Sequence, residues 1–142
     1  MMKKILFLAI ILTLLASCNA ANPAPAPTPD TATPDERMDY LRDKFDELTE
    51  ISCDELVKYA SLSDGGYSEA AFSELITRWS AAPGELAAAI AELDIAGQTA
   101  LYKAIYNSAN AWGLTAEFEQ GLKTATEQEL DLTILKRVIA ES

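Results

Sequence analysis

Cysteine thiols and carboxylates are the side chains of this chain whose types could support chemistry. The sequence contains two cysteines, Cys18 and Cys53, together with 22 Asp and Glu and no His. Without His, no imidazole can activate a nucleophile, and His-containing metal sites are excluded. There is no Gly-rich phosphate-binding loop, and no two carboxylates stand out as a glycosidase pair. We therefore expect no catalytic residues, no metal site and no cofactor.

The residues that precede Cys18 have the composition of a signal peptide. Lys3 and Lys4 are followed by an uncharged, mostly apolar segment, residues 5–15, and the small residues Ala16 and Ser17 stand directly before the cysteine. The apolar segment is much shorter than the roughly 20 residues that a membrane-spanning helix needs.

The sequence Leu15-Ala16-Ser17-Cys18 resembles the lipobox of bacterial lipoproteins. The resemblance implies that residues 1–17 are removed and that Cys18 becomes the lipidated first residue, which anchors the protein to a membrane of the cell envelope. In such lipoproteins an Asp after the cysteine signals retention in the inner membrane, whereas this chain has Asn19. We therefore expect the periplasmic side of the outer membrane, if the cell has one. An ordinary signal peptide with an incidental cysteine and an uncleaved anchor are the alternatives.

The mature chain is strongly acidic. Lys3 and Lys4 are the only charged residues before Cys18, so the mature chain retains nine basic and 22 acidic side chains, a formal charge of −13. A negative surface of this size repels nucleic acid and anionic lipid headgroups. We exclude nucleic acid as a partner, and expect the lipid on Cys18 to provide the contact with the membrane.

The chain divides into three segments: the signal peptide (1–17), a linker (18–34) and a single helical domain (35–142). The linker begins with Cys18 and contains five of the six prolines, interspersed with Ala and Thr. This composition favours extended polyproline II, which at about 3.1 Å per residue reaches roughly 50 Å. A semi-rigid stalk and a disordered tether are both compatible with it.

The spacing of apolar residues after the linker predicts an all-α domain of about seven helices. Met38, Leu41, Phe45, Leu48 and Ile51 recur at intervals of three and four residues and predict one long first helix. Capping sequences, each with Glu three residues later, begin at Thr33, Ser52 and Thr126 and predict three helix starts. Residues 113–115 interrupt the pattern, and no segment alternates with the period of a strand.

The predicted helices pair into antiparallel hairpins with a period of about 30 residues. Leu56, Leu86 and Phe118 occupy equivalent positions in the first helix of each pair, and Ile76, Ile105 and Leu135 do so in the second. Over residues 52–142 this spacing resembles the shorter HEAT-type repeats, which implies a short α-solenoid. The alternative is an irregular orthogonal bundle whose amphipathic helices align by chance.

Two surfaces are candidate partner-binding sites. The first is an acidic face of the first helix, opposite Met38, Leu41 and Phe45, and consists of Asp39, Asp43, Asp46 and Glu50, with Asp35 and Glu47 beside them. Like charges four residues apart in a helix are unfavourable, so such a face can serve to steer a basic partner. It can equally be a solvated face that keeps the domain soluble.

The second surface consists of Tyr102, Tyr106 and Asn110, which are spaced four residues apart on one helix. Tyrosines at the edge of burial can expose their hydroxyls, so these residues either line a groove for a partner or seal the contact with a neighbouring helix. Trp79 and Trp112 are predicted to lie in or at the edge of the core. Cys53 is expected to be half-buried in the first turn of a helix, as a structural residue with at most modest reactivity.

These features favour a membrane-tethered, non-enzymatic helical module that binds another protein of the bacterial cell envelope. The alternative is an acidic inhibitor or immunity-type lipoprotein that neutralises a basic toxin or hydrolase. An enzyme that uses carboxylates alone is the third hypothesis.

Overall fold

The computed structural model describes residues 31–142, so the predicted signal peptide, Cys18 and the linker up to residue 30 lie outside the described residues. Within this part of the chain there are seven α-helices and no strand, which confirms the predicted all-α fold. The helices are α1 (Pro34–Phe45), α2 (Cys53–Leu62), α3 (Gly65–Ala81), α4 (Pro83–Ala91), α5 (Ile95–Trp112), α6 (Thr115–Glu127) and α7 (Thr133–Ala140).

The first two helices begin at the predicted capping residues. The Glu36 N–H donates to Thr33 Oγ1 at 3.3 Å and the Thr33 N–H donates to Glu36 Oε2 at 2.9 Å, so the capping box of α1 is complete. The Thr33 N–H and the Thr33 hydroxyl, whose Oγ1 lies 2.8 Å from Glu36 Oε2, both donate to the Glu36 carboxylate and lower its pKa. Ser52 caps α2 by accepting from the Glu55 N–H at 3.2 Å. The Glu55 carboxylate, however, pairs with Lys44 Nζ at 3.3 Å, so it helps to join α1 to α2.

The prediction of one long first helix was wrong, because α1 ends at Phe45 and residues 46–50 form turns. Leu48 and Ile51 are still buried, but their carbonyl oxygens accept hydrogen bonds from the Arg78 guanidinium of α3, at 2.9 and 2.6 Å. After Phe45 the chain is therefore no longer helical, and its backbone carbonyl groups contact α3. Met38 and Phe45, predicted to face the core, are 42% and 43% exposed.

The predicted helix start at Thr126 was also wrong. Thr126 lies in the last turn of α6, where its hydroxyl donates to the Leu122 carbonyl at 2.8 Å. Glu129 then adopts a left-handed conformation (φ 56°), and the Leu130 N–H donates to the Ala125 carbonyl at 3.1 Å, as in a Schellman motif. The last helix, α7, begins only at Thr133.

The core is built around α3, which packs against α2, α4, α5 and, most extensively, α6. Trp79 of α3 is 1% exposed. Its indole lies 6.2 Å from the Tyr102 ring and 6.1 Å from the Phe118 ring, measured between centroids, and its Nε1–H donates to the Phe118 carbonyl at 3.0 Å. Trp79 therefore connects three helices.

Within residues 31–142, α2 packs against α3 and α4 against α5, as the predicted hairpins require, but α6 and α7 do not pack extensively against each other, and the helices do not stack as an open solenoid. The first helices of each pair contact in sequence (α2 with α4, α4 with α6), and so do the second helices (α3 with α5, α5 with α7). In a solenoid each unit contacts only its neighbours. Here α3 of the first pair packs against α6 of the third. This arrangement favours the irregular bundle.

Candidate interaction surfaces

Cys53 is half-buried at the first position of α2, where the sequence placed it. Its Sγ lies 3.9 Å from Arg78 Nη1, and the same guanidinium also bonds the Glu74 carboxylate at 2.8 Å and the turn before α2. Arg78 therefore contacts the thiol and several oxygen acceptors at the junction of α2 and α3.

The predicted acidic face is divided between a helix and a turn. Asp39 and Asp43 lie on α1 and are exposed, and Arg42 lies between them, with Nη2 2.8 Å from Asp39 and Nε 3.6 Å from Asp43. The like-charged pair is therefore compensated by a cation. Exposed ion pairs of this kind contribute at most about 1 kcal/mol.

Asp46 and Glu50 lie in the turns after α1, so the prediction that they share one helical face with Asp39 and Asp43 was wrong. Both carboxylates are exposed. Asp46 lines a shallow pocket of about 470 Å³ next to Phe45 and Tyr67, whose rings pack edge to face at 5.6 Å. This aromatic pocket is absent from the sequence-based predictions, which assigned Phe45 to the core.

Tyr102 is 5% exposed, so the prediction that it lies at the edge of burial was wrong. Its ring packs edge to face on Trp79, and burial, together with the nearby charge of Asp131, raises the pKa of its hydroxyl to about 12. Tyr106 is half-buried against the Phe118 ring at 5.5 Å.

Asn110, the third residue of this predicted surface, is exposed and accepts a hydrogen bond from the Thr115 hydroxyl at 3.4 Å. The three positions therefore join α5 to α3 and α6. Trp112, by contrast, was predicted to be a core or core-edge residue but is 41% exposed near the end of α5.

A groove runs between α2 and α4. It consists of two adjoining cavities of about 570 and 290 Å³ that share Asp54, Ala89 and Glu92. Cys53 and Glu85 line only the first cavity, whereas Ser61 and Leu93 line only the second. The first cavity lies between the start of α2 and the length of α4, and the second lies between the length of α2 and the end of α4.

Each helix contributes one continuous stripe to this α2–α4 groove. The residues are Asp54, Val57, Lys58 and Ser61 on α2, and Glu85, Ala88 and Ala89 on α4 with Glu92 directly after its last residue. In both helices the spacing is i, i+3, i+4, i+7, which places four side chains on one face. Val57 and Ala89 form a buried apolar floor, while Asp54, Glu85 and Glu92 are exposed at the rim.

The spacing of each stripe is visible in the sequence, but neither stripe was predicted to form a binding surface. Their significance depends on α2 and α4 lying side by side, which no local signal in either helix indicates.

Comparison with known proteins shows what the first residues of the chain are similar to. A family model described as a prokaryotic membrane lipoprotein lipid attachment site matches residues 2–19. The match supports a bacterial lipoprotein. It includes Cys18 and supports lipid anchoring of the protein to a membrane of the cell envelope. The HEAT-type resemblance of residues 52–142 is not supported by any family match.

No curated protein and no solved structure matches the chain. Among the helices within residues 31–142, none has both the length and the apolar character needed to cross a bilayer. In the same part of the chain, no three Asp, Glu or Cys side chains come together as a metal-binding group.

Proposed function

We propose that the lipoprotein is a membrane-tethered, non-enzymatic helical module that binds another protein of the cell envelope. The observation that carries the proposal is the lipid attachment site at residues 2–19, which precedes an acidic all-α domain. The proposal includes anchoring by Cys18 on the periplasmic side of the outer membrane, which is supported by Asn19 at the position after the cysteine.

A binding role is supported by the distribution of charge in the domain. Within residues 31–142 every fully buried side chain of the core is hydrophobic, and the carboxylates lie at or near the surface. Carboxylates that act as catalytic pairs depend on environments that separate their pKa values, most often through burial. Surface carboxylates around apolar grooves are instead typical of protein-binding surfaces, which have a polar rim.

The proposal is tested by capturing partners with the full-length lipoprotein expressed in its own envelope. Wild type is compared with Cys18→Ala, which removes the lipidation site, and with Cys53→Ser, which alters the other thiol and keeps the anchor. We expect the same envelope protein to copurify with wild type and Cys53→Ser, and to be lost with Cys18→Ala. Capture of no protein by wild type, or equal capture by Cys18→Ala, contradicts the proposal.

An acidic inhibitor that neutralises a basic toxin or hydrolase is the second candidate. It is supported by the exposed carboxylates of Asp39, Asp43, Asp46 and Glu50 and by the formal charge of −13 on the mature chain. Binding dominated by these charges would weaken steeply with ionic strength, because salt screens exposed charges. Asp39→Asn with Asp43→Asn would then reduce inhibition, whereas an interaction module that binds elsewhere keeps its affinity.

A further inference from the structure

We propose that the α2–α4 groove is the partner-binding surface of the lipoprotein and that its occupant is a basic amphipathic helix of the partner. This inference rests on the proposed function and adds to it a site and a class of ligand.

The shape of the groove fits a helix. Each stripe spans seven residues, which corresponds to about 10 Å, or two turns, at 1.5 Å per residue, and the two stripes meet at Asp54, Ala89 and Glu92. Two neighbouring helices form a channel into which the ridge of a third helix can pack. On α4 the lining residues Ala88 and Ala89 carry only methyl groups, so the backbone of an incoming helix can approach closely.

The floor of the groove fits the apolar stripe of such a helix. Val57 and Ala89 are buried between α2 and α4, and Leu93 continues the apolar surface at one end. A helix that binds in a groove places apolar residues at three- and four-residue spacing against a floor of this kind.

The rim of the groove determines the charge of the occupant. Asp54, Glu85 and Glu92 contribute three carboxylates, and Lys58 contributes the one ammonium group among the lining residues. Lys or Arg beside the apolar stripe would therefore meet opposite charge, whereas an acidic helix would be repelled. A second copy of the mature chain would bring its own formal charge of −13, which opposes self-association through this groove.

The first test is site-specific photo-crosslinking in the full-length lipoprotein in its own envelope. A photoreactive residue replaces Ala88 in the groove or, as the control, Ala116, which is exposed on α6. We expect a crosslink from position 88 but not 116, to a partner segment with apolar residues at helical spacing flanked by Lys or Arg. A crosslinked segment that is acidic or lacks helical spacing overturns the proposal, and so does a crosslink to a second copy or from position 116 alone.

The second test measures affinity for a defined probe, a synthetic helix-forming peptide of roughly 15 residues with a Leu stripe flanked by Lys. Lipidated mature protein in uncharged phosphatidylcholine nanodiscs is titrated with this peptide and with a version carrying Glu in place of Lys. We expect the Lys peptide to bind and the Glu peptide not to bind. Binding of both peptides, or of neither, overturns the proposal.

Variants of the groove and of α6 show where on the protein the Lys peptide binds. Glu85→Gln with Glu92→Gln is expected to weaken it about threefold to tenfold, since each exposed pair contributes up to about a factor of five. Glu117→Gln with Glu119→Gln removes the same charge from an exposed part of α6 and should change affinity less than about twofold. Ala88→Trp fills the groove and should abolish binding, whereas Ala116→Trp should not.

The outcomes separate the two proposals. If the two double variants weaken the Lys peptide equally, or Ala88→Trp binds like wild type, the groove is not the site, while capture of an envelope partner still supports the proposed function. If wild type captures no partner in the envelope, the proposed function fails and the inference fails with it. Circular dichroism of each variant establishes that the helices are retained.

Discussion

Gly121 and Trp79 meet where α6 packs against α3. A Cβ atom built on Gly121 would overlap Cδ1 and Nε1 of the Trp79 indole and the Trp79 carbonyl oxygen. Neither group can move away easily, because the indole is fixed by its hydrogen bond to the Phe118 carbonyl and the carbonyl is part of α3. Gly121 is therefore required for the close approach of the two helices.

We expect Gly121→Ala to lower the free energy of unfolding by about 1–3 kcal/mol or more, the range for overpacked cores. Urea unfolding followed by tryptophan fluorescence measures this change. Gly66→Ala is the matched control, because nothing lies within 4 Å of the Cβ it would add at the start of α3. That variant should be neutral or stabilised by up to about 1 kcal/mol, through the higher helix propensity of Ala. An equal loss in both variants would contradict this explanation.

Burial of tyrosine hydroxyls makes the stability of the domain sensitive to alkaline pH. Desolvation raises the pKa of Tyr59 and of Tyr102 to about 12, from an ordinary value of 10.0. A pKa that is higher in the folded than in the unfolded state stabilises the protein fully below the unfolded pKa, and this stabilisation is lost as pH rises through the folded pKa. Stability should therefore decline between about pH 10 and pH 12.

Urea unfolding at several alkaline pH values measures this decline, and tyrosinate absorbance reports the titration of the hydroxyls. Tyr102→Phe keeps the ring against Trp79 but removes the ionisable hydroxyl, so we expect a smaller decline in this variant. Ionisation of all five tyrosines near pH 10 in the folded protein would show that the hydroxyls are not desolvated.

At the scale of the elements, Arg78 fixes the connection between α1 and α2. Its guanidinium donates to the carbonyl oxygens of Leu48 and Ile51 and to the Glu74 carboxylate, at distances between 2.6 and 2.9 Å. Its side chain is only 17% exposed, so these bonds are partly shielded from water. The planar fork of Arg suits several acceptors at once, which the single ammonium of Lys cannot serve.

We expect Arg78→Met to lower the free energy of unfolding by about 2–4 kcal/mol, because it leaves the Glu74 carboxylate and two carbonyl groups without their donor. Arg78→Lys should lower the free energy of unfolding by less, but should still increase the mobility of the turn before α2. Hydrogen exchange of residues 46–52, together with urea unfolding, checks both effects. Arg137→Met, at an exposed position of α7, is the control and should change stability by less than about 0.5 kcal/mol. Unchanged exchange in Arg78→Met would show that Arg78 does not hold the turn.

Helix boundaries that depend on local chemistry were predictable from the sequence. Thr33 and Ser52 cap α1 and α2 through residues three positions away. The Gly113 interruption likewise appears as a left-handed residue after α5. The end of α1 was not predictable, because the turn is held by Arg78, 27 residues after Ile51. The left-handed Glu129 carries no glycine signal, so the end of α6 was missed as well.

The candidate surfaces were likewise predictable where they depend on one helix alone, and not where they depend on contacts between helices. The exposure of Asp39 and Asp43 followed from the helical pattern. The burial of Tyr102 did not, because it is Trp79 of α3, 23 positions earlier in the chain, that covers its ring. The facing stripes of the α2–α4 groove also required the packing of two separate helices. Sequence patterns thus defined the faces of individual helices, and tertiary contacts decided which faces remain open.

At the scale of the whole molecule, acidic side chains of the mature chain outnumber basic ones by more than two to one. The mature chain has nine basic side chains and 22 acidic ones. Five of the basic residues already form ion pairs with nearby carboxylates: Arg37, Arg42, Lys44, Arg78 and Lys123. Most of the remaining carboxylates repel one another across the surface. Such self-repulsion keeps a protein soluble but destabilises its compact state.

The balance between this repulsion and the ion pairs can be measured with salt. Exposed ion pairs contribute at most about 1 kcal/mol each. Long-range repulsion acts among many more groups, and is largely screened once the Debye length falls to about 10 Å or less. We therefore expect the thermal unfolding midpoint of the lipidated mature protein in uncharged nanodiscs to rise by a few degrees between about 0.01 and 0.5 M NaCl.

Glu119→Gln provides the control, since it lowers the negative charge at an exposed position without touching an ion pair or the first turn of a helix. Its midpoint should be higher than that of wild type at low salt and should approach the wild-type value at high salt. A midpoint that falls as salt is added would contradict this account. It would mean that ion pairs such as Arg37–Asp64, with 2.7 Å between nitrogen and oxygen, stabilise the fold more than the excess charge destabilises it.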